Sequence, residues 1–152
     1  MSNEQTQIGA IVIGGHIQGL GITRILGNAG IPVILLDKTK LNLTRFSKYC
    51  QKSYLVENED LINQLEAFQA QQKYAGWVIY PTNDAHVELL SKNKVNLEPY
   101  FRVTTDHWDS ISIFYDKILT YKLAAELEIP IALTFFPEKI EDLDGIEIQY
   151  PC

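Results

Sequence analysis

Basic residues, cysteines and long apolar runs are all scarce in this chain, and each scarcity removes a class of function. Lys and Arg number 13 of 152 residues against 19 Asp and Glu, for a formal net charge of -6. A nucleic-acid surface needs clustered cations to meet the phosphates, and here the basic residues are scattered. Those around Lys48 and Lys52 are flanked by Glu57 and Asp60 and read as a solvated face. The two cysteines, Cys50 and Cys152, form no CxxC motif and no Cys/His cluster. Neither a disulfide framework nor a metal framework is expected, and a reducing compartment is the default. The opening MSNEQTQ carries no basic segment ahead of the apolar run from Ile8 to Ile13, which is too short for a secretion signal or a membrane span. The expectation is a cytoplasmic protein that engages neither nucleic acid nor membrane.

What the chain does have is an ordinary globular balance, 46% hydrophobic and 21% charged, in a length that supports one sizeable core. Ile8 to Gly15 is apolar and branched up to its glycines, the pattern of a strand buried on both faces of a parallel sheet. Ile17, Leu20, Ile22, Ile25, Leu26 and Ala29 then recur at helical spacing, and Gly30 ends the helix. Pro32 to Leu36 predicts a second strand ending on Asp37, residues 43 to 49 a short helix, and Ser53 to Val56 a third strand. Asp60 is placed to cap a helix reaching about Tyr74, with Leu61, Leu65 and Phe68 on one face. Trp77 to Tyr80 predicts a fourth strand, stopped by the turn Pro81-Thr82-Asn83-Asp84, and a helix follows from Ala85 to about Leu90. Phe101 to Thr104 predicts a short fifth strand and Asp106 a cap for helical sequence running to about Leu127. This alternation buries a sheet only if helices cover both faces, so the fold class is α/β, a three-layer doubly wound and mostly parallel sheet. Beyond Leu127 the pattern breaks: two short runs separated by Pro130, then Pro137, an Asp144-Gly145 turn, and IEIQYPC, which alternates like a strand just beginning. A chain ending inside a strand is expected to be a fragment.

The loops that follow the strands share one edge of such a sheet, where ligands bind. Gly14, Gly15, Gly19 and Gly21 make a strand-to-helix turn that can bring backbone N–H groups close to an anion. Their order, G-G-x-x-x-G-x-G, departs from the G-x-G-x-x-G dinucleotide fingerprint, yet Asp37 stands where an acid would hold a ribose. Ligand contact and turn-making alone both stay open for the glycines, as does nicotinamide dinucleotide binding. Thr82, Asn83 and Asp84 can reach a substrate or simply cap the following helix. His16, inside the turn, is the histidine best placed for contact, while His86 and His107 are isolated and read as ordinary. Asp106, Asp109 and Asp116 read better as helix caps than as a cation site. No catalytic constellation and no metal ligand set is assigned.

The glycine turn, the PTND turn and FYDKILTYKLAAELEIPIALTFFP together resemble the N-terminal part of ATP-grasp carboxylate–amine ligases, and among them carbamoyl-phosphate-synthase-like proteins. The resemblance covers nearly the whole chain and rests most on Asp116 to Pro137, where D-K leads into a helix ending A-x-x-L-x-I-P and then a T-F-F-P strand. It implies a Rossmann-like pre-ATP-grasp domain over residues 1–127, with 128–152 as linker and start of the ATP-grasp domain. It implies a carboxylate activated as an acyl phosphate and attacked by an amine, with ATP and magnesium in the full-length protein and a small carboxylate or amine as substrate. Lys117 matches a basic position turned toward the ATP phosphates, and Gly14, Gly15, Gly19, Gly21, Thr82, Asn83 and Asp84 match substrate-facing positions. The chain alone is then expected to be inactive, needing a downstream ATP-grasp domain in cis or in trans, and a homodimer is compatible with the resemblance. A non-catalytic ligand-binding or docking module, presenting Phe135 and Phe136, is the reading from a different class.

Overall fold

The computed structural model describes residues 7–144 and 146. It falls into two compact units, residues 1–112 and 113–152. The first unit holds β1 (Ala10–Ile13), α1 (Ile17–Asn28), β2 (Val33–Asp37), β3 (Cys50–Leu55), α2 (Leu61–Ala70), β4 (Val78–Pro81), α3 (Asp84–Lys92), α4 (Lys94–Leu97) and β5 (Arg102–Val103). Short 3-10 turns lie at Thr44–Phe46 and Asn58–Asp60. All strand pairs are parallel, in the order β3-β2-β1-β4-β5.

Alternation along β1 and β2 divides the core into two layers, one on each side of the sheet. Ile11, Ile13, Ile34, Leu36 and Ile79 pack with Leu61, Leu65 and Phe68 of α2, Leu90 of α3 and Leu97 of α4. Ala10, Val12, Val33 and Leu35 pack with Ile22 and Leu26 of α1. The sheet therefore lies between helices on both faces, and β1 and β2 read as unbroken apolar runs because neither side of them meets water. Each fully buried side chain of this kind contributes about 1.5–3 kcal/mol. The chain builds outward from β1 to β2 and β3, then crosses back through α2 to β4 on the other side of β1. That reversal opens a crevice between the carboxyl ends of β1 and β4.

Several elements differ from the sequence-based expectation. The helix α2 stops at Ala70 because Gln72 and Tyr74 take left-handed conformations, with φ of 52° and 61°. Tyr74 is held instead by ring contacts to Phe68 and Trp77 and by a 2.6 Å hydrogen bond between its hydroxyl and that of Tyr54. Burial and this bond push the Tyr74 phenol up to about 12. Asp60 stands at the N-cap of α2 without capping it through its side chain. The short helix expected over 43 to 49 is a single 3-10 turn, and β3 begins earlier, at Cys50. In the second unit α6 (Lys117–Glu126) follows α5 (Trp108–Tyr115), which spans the division between the units. Asp116 caps α6 by accepting from the Ile118 amide at 2.8 Å. The T-F-F-P segment is not a strand: residues 128 to 137 have no regular structure, as Pro130 and Pro137 and a left-handed Glu128 would impose. The alternating segment after Ile146 and the expected Gly145 turn position lie outside the described residues.

Candidate functional site

The glycine turn closes around its own backbone. Gly14 has φ +98°, a conformation that L side chains avoid, and its amide donates to the Leu36 carbonyl at 2.9 Å. A β-carbon at Gly14 would collide with the Thr82 hydroxyl, one at Gly15 with the Asn42 side chain, and one at Gly19 with the Gly14 carbonyl oxygen. These three glycines are thus fixed by close approach. Gly21 differs: it is exposed on α1, and a β-carbon there would meet nothing within 4 Å.

Side chains from three loops lock the turn. Asp37, at the end of β2, accepts from the amides of Gly15 and Thr39 with one carboxylate oxygen each, both at 2.5 Å. Fully buried Thr44 donates its hydroxyl hydrogen to the Gly15 carbonyl at 2.9 Å, and its amide donates to the same oxygen at 3.0 Å. Thr82 donates its hydroxyl to the Ile13 carbonyl at 2.7 Å, tying β4 to β1 at the crevice. Asn83 caps α3, accepting from the His86 amide at 2.9 Å, and exposed Asp84 begins that helix, where its charge suits the helix dipole. Replacing Asp37 with alanine removes two charge-assisted bonds and is expected to lower stability by about 2 kcal/mol. The change is read from the urea midpoint at constant slope, and asparagine at the same position should restore part of it.

Beneath the turn lies a cavity of about 130 Å³ lined in part by Gly14, His16, Asp37, Lys38, Asn83 and His86. The α1 end of it has no side-chain cap: among the described residues, the amides of His16, Ile17 and Gln18 take no partner, and the His16 ring instead bonds the Gln18 side chain at 2.7 Å. A helix end left open in this way suits an anionic group. His86 is 6% exposed, and its Nδ1 has no hydrogen-bond partner. Burial pulls its pKa below the ordinary 6.5; the Ile13 carbonyl and Asp37 oppose the change, and the charges of His16 and Lys38 assist it.

The pH consequence has a definite sign. A histidine whose folded pKa is depressed keeps its share of stability above 6.5 and loses it as pH falls through the lower folded value. Stability of the chain is therefore expected to decline on acidification below 6.5, with His16, Asp37 and Lys38 as the charged neighbours that modulate the slope. Denaturation midpoints across that window check this, and His86→Asn should flatten the part due to His86.

The structure thus brings Gly14, Gly15, His16, Asp37, Thr82 and Asn83 to one edge of the sheet, with Gly19 behind them on α1. Asp84 lies exposed at the start of α3, and Gly21 lies apart. Lys117 is exposed at the first residue of α6, in the second unit. No group of three His, Cys, Asp or Glu residues that could hold a metal ion occurs among the described residues. In the second unit Phe135 and Phe136 are 48% and 39% exposed and border an open cavity with Ile118 and Lys122. Sequence reasoning missed Thr44 and Asn42, and it treated His86 as ordinary. Thr44 and Asn42 reach the turn from 29 and 27 positions away, a juxtaposition without any local signal.

Strand order, crevice and glycine turn define a doubly wound α/β domain of Rossmann-like class. Among the solved structures that share this fold at low sequence identity are two ribonucleotide synthetases. One is the crystal structure of N5-carboxyaminoimidazole ribonucleotide synthetase from Thermotoga maritima, at TM-score 0.64 and 17% identity over 90% of this chain and 36% of that one. The other is the ADP complex of purK, also an N5-carboxyaminoimidazole ribonucleotide synthetase, at TM-score 0.59 and 14% identity over 84% of this chain and 31% of that one. The chain spans about a third of the length of each. No protein-family model and no curated protein matches it. No helix among the described residues is long and apolar enough to cross a membrane.

Proposed function

We propose that this chain is the substrate-side, pre-ATP-grasp domain of an ATP-dependent carboxylate–amine ligase. The observation that carries the reading is the fold shared over 90% of the chain with a ribonucleotide synthetase, at about a third of that enzyme's length. The segment from Asp116 to Pro137, with its resemblance to carbamoyl-phosphate-synthase-like ligases, supports the same reading and suggests the subfamily. In such a reaction the terminal phosphoryl group of ATP passes to a carboxylate oxygen with release of ADP, and an amine then attacks the acyl phosphate and expels phosphate.

This chain's part is to seat the acceptor. Gly14 and Gly15 let the backbone approach a ligand, the open amides at the start of α1 receive its anionic group, and His16, Thr82 and Asn83 border it. Asp37 acts by holding the Gly15 amide in place. Magnesium and ATP are assigned to a grasp domain that joins the chain in cis or in trans. Lys117 is assigned to the phosphate side of that joined site. Residues 1–127 form the substrate domain and 128–152 lead toward the grasp domain. A reducing, cytoplasmic setting suits the unpaired Cys50.

The test is ADP release by the polypeptide that unites this chain with its grasp domain, screened against paired carboxylates and amines. ADP release that requires both partners supports the reading; its absence across the panel removes it. The nicotinamide alternative predicts enhanced NADH fluorescence on adding the 152-residue chain. Since the G-G-x-x-x-G-x-G order departs from the dinucleotide fingerprint, no enhancement is expected at millimolar cofactor.

A further inference from the structure

The segment between β2 and β3 is inside out. Asn42 and Thr44 are buried, while Leu41, Leu43 and Phe46 are exposed, Phe46 to 71%. The glycine turn accounts for the buried pair: Thr44 holds the Gly15 carbonyl through its hydroxyl and its amide, and Asn42 accepts from the Arg45 amide at 3.0 Å. The same bonds fix the 3-10 turn Thr44–Phe46 and present Phe46 on a rigid support, with the Arg45 guanidinium 5.5 Å from its ring centre. Apolar side chains held outward mark an interaction surface, and an anchor fixed beforehand loses little entropy on docking. Charge narrows the partner. From Lys38 to Val56 the sequence carries five cations, Lys38, Lys40, Arg45, Lys48 and Lys52, and no acid. Among the described residues none of the five forms a salt bridge. A cavity of the opposite sign lies in the same unit, with a volume of about 440 Å³. Leu55, Val56 and Ala67 line it together with the exposed carboxylates of Glu57 and Asp60. A cavity of about 150 Å³ holds a benzene ring, so this one has room for the Phe46 ring and the guanidinium beside it.

We propose that the chain self-associates, the Arg45–Phe46 turn of one copy seating in the Glu57–Asp60 cavity of a second copy. The ring then lies against Leu55, Val56 and Ala67, and the guanidinium against the two carboxylates. Turn and cavity do not meet within one chain, where Phe46 is exposed and neither it nor Arg45 lines the cavity. Two basic faces set against each other would repel, so the contact joins unlike surfaces. A dimer closes when each copy gives its turn to the other and receives the other's in its cavity. Seating the turn also braces the glycine loop, because Thr44 belongs to both. This contact goes beyond the ligase reading, and the ADP-release test of that reading stands whatever the oligomeric state.

The experiment is sedimentation equilibrium of the 152-residue chain from about 1 μM to about 1 mM, a range that covers weak and moderate contacts. The mass should rise with concentration from 17.3 kDa to twice that value. Phe46→Ala should weaken association about tenfold or more, the worth of burying one aromatic side chain, and should leave the urea midpoint of the monomer unchanged because the ring is exposed there. Charge reversal tests the pairing itself. Arg45→Glu in one chain, and Glu57→Lys with Asp60→Lys in another, should each give a monomer whose amide spectrum is that of a folded chain. An equimolar mixture of the two should recover the dimer, since opposite charges then face each other at both contacts. A mass of 17.3 kDa at every concentration overturns the proposal. So does association that Phe46→Ala leaves unchanged, or a mixture of the two folded variants that stays monomeric. A monomer that binds phosphatidylserine vesicles instead would give the basic face to a lipid surface and overturn it equally.

Discussion

Gly19→Ala is expected to destabilise the chain by about 3 kcal/mol, the upper range for a methyl forced into a packed site. Its β-carbon would overlap the Gly14 carbonyl oxygen, a backbone atom that cannot swing away as a side chain could. Relief requires α1 to lift from the turn, and the Thr44 bonds to the Gly15 carbonyl resist that movement. The damage should therefore reach the cavity, displacing the open amides of His16 to Gln18. Gly21→Ala provides the contrast two residues away on the same helix. It meets nothing within 4 Å, so the ordinary advantage of alanine over glycine in a helix should appear as a gain of about 0.5–1 kcal/mol. Urea denaturation of the two variants checks both signs, with slopes unchanged. Equal effects at the two glycines would contradict the close-approach account of the turn.

Phe68→Ala is expected to cost about 3–5 kcal/mol, the range for emptying a buried aromatic site. Phe68 is 2% exposed and stands edge-on to Tyr54 and Tyr74, with ring centroids 5.0 and 4.9 Å away. Its loss would free Tyr74 from a left-handed conformation that its ring contacts sustain. The variant should thus lose stability and also bring the Tyr74 phenol back from about 12 toward its ordinary 10, as the bond to Tyr54 loosens. Ultraviolet titration of the tyrosines reads the second effect separately from the first.

How much of this could be read from the sequence followed local chemistry. β1, β2 and β4 announced themselves as apolar runs because both of their faces are covered, and the Asn83 cap because its partner is three residues away. The beginning of β3 was hidden, since Gln51, Lys52 and Ser53 are exposed on an edge strand and do not alternate as a half-buried strand would. The end of α2 was hidden too, because residues 71–74 carry no glycine or proline to mark a stop, while the Gln72 and Tyr74 backbones have already turned left-handed. Four-residue α4 was not foreseen; its one buried anchor is Leu97. At the candidate site the glycines were legible and their supports were not. Asp37 stood out by its place at a strand end, but its bonds to the Gly15 and Thr39 amides were not legible from that place. His86 looked isolated along the chain and becomes a pocket residue only when α3 is laid beside β1.

The most direct test of the ligase reading follows oxygen atoms. With the carboxylate substrate labelled in its oxygens by ¹⁸O, the polypeptide uniting this chain and its grasp domain is supplied with ATP and amine, and the released phosphate is examined by mass spectrometry. An acyl-phosphate reaction transfers one labelled oxygen from carboxylate to phosphate at each turnover. Phosphate released without label, at the same rate as ADP, would contradict the account.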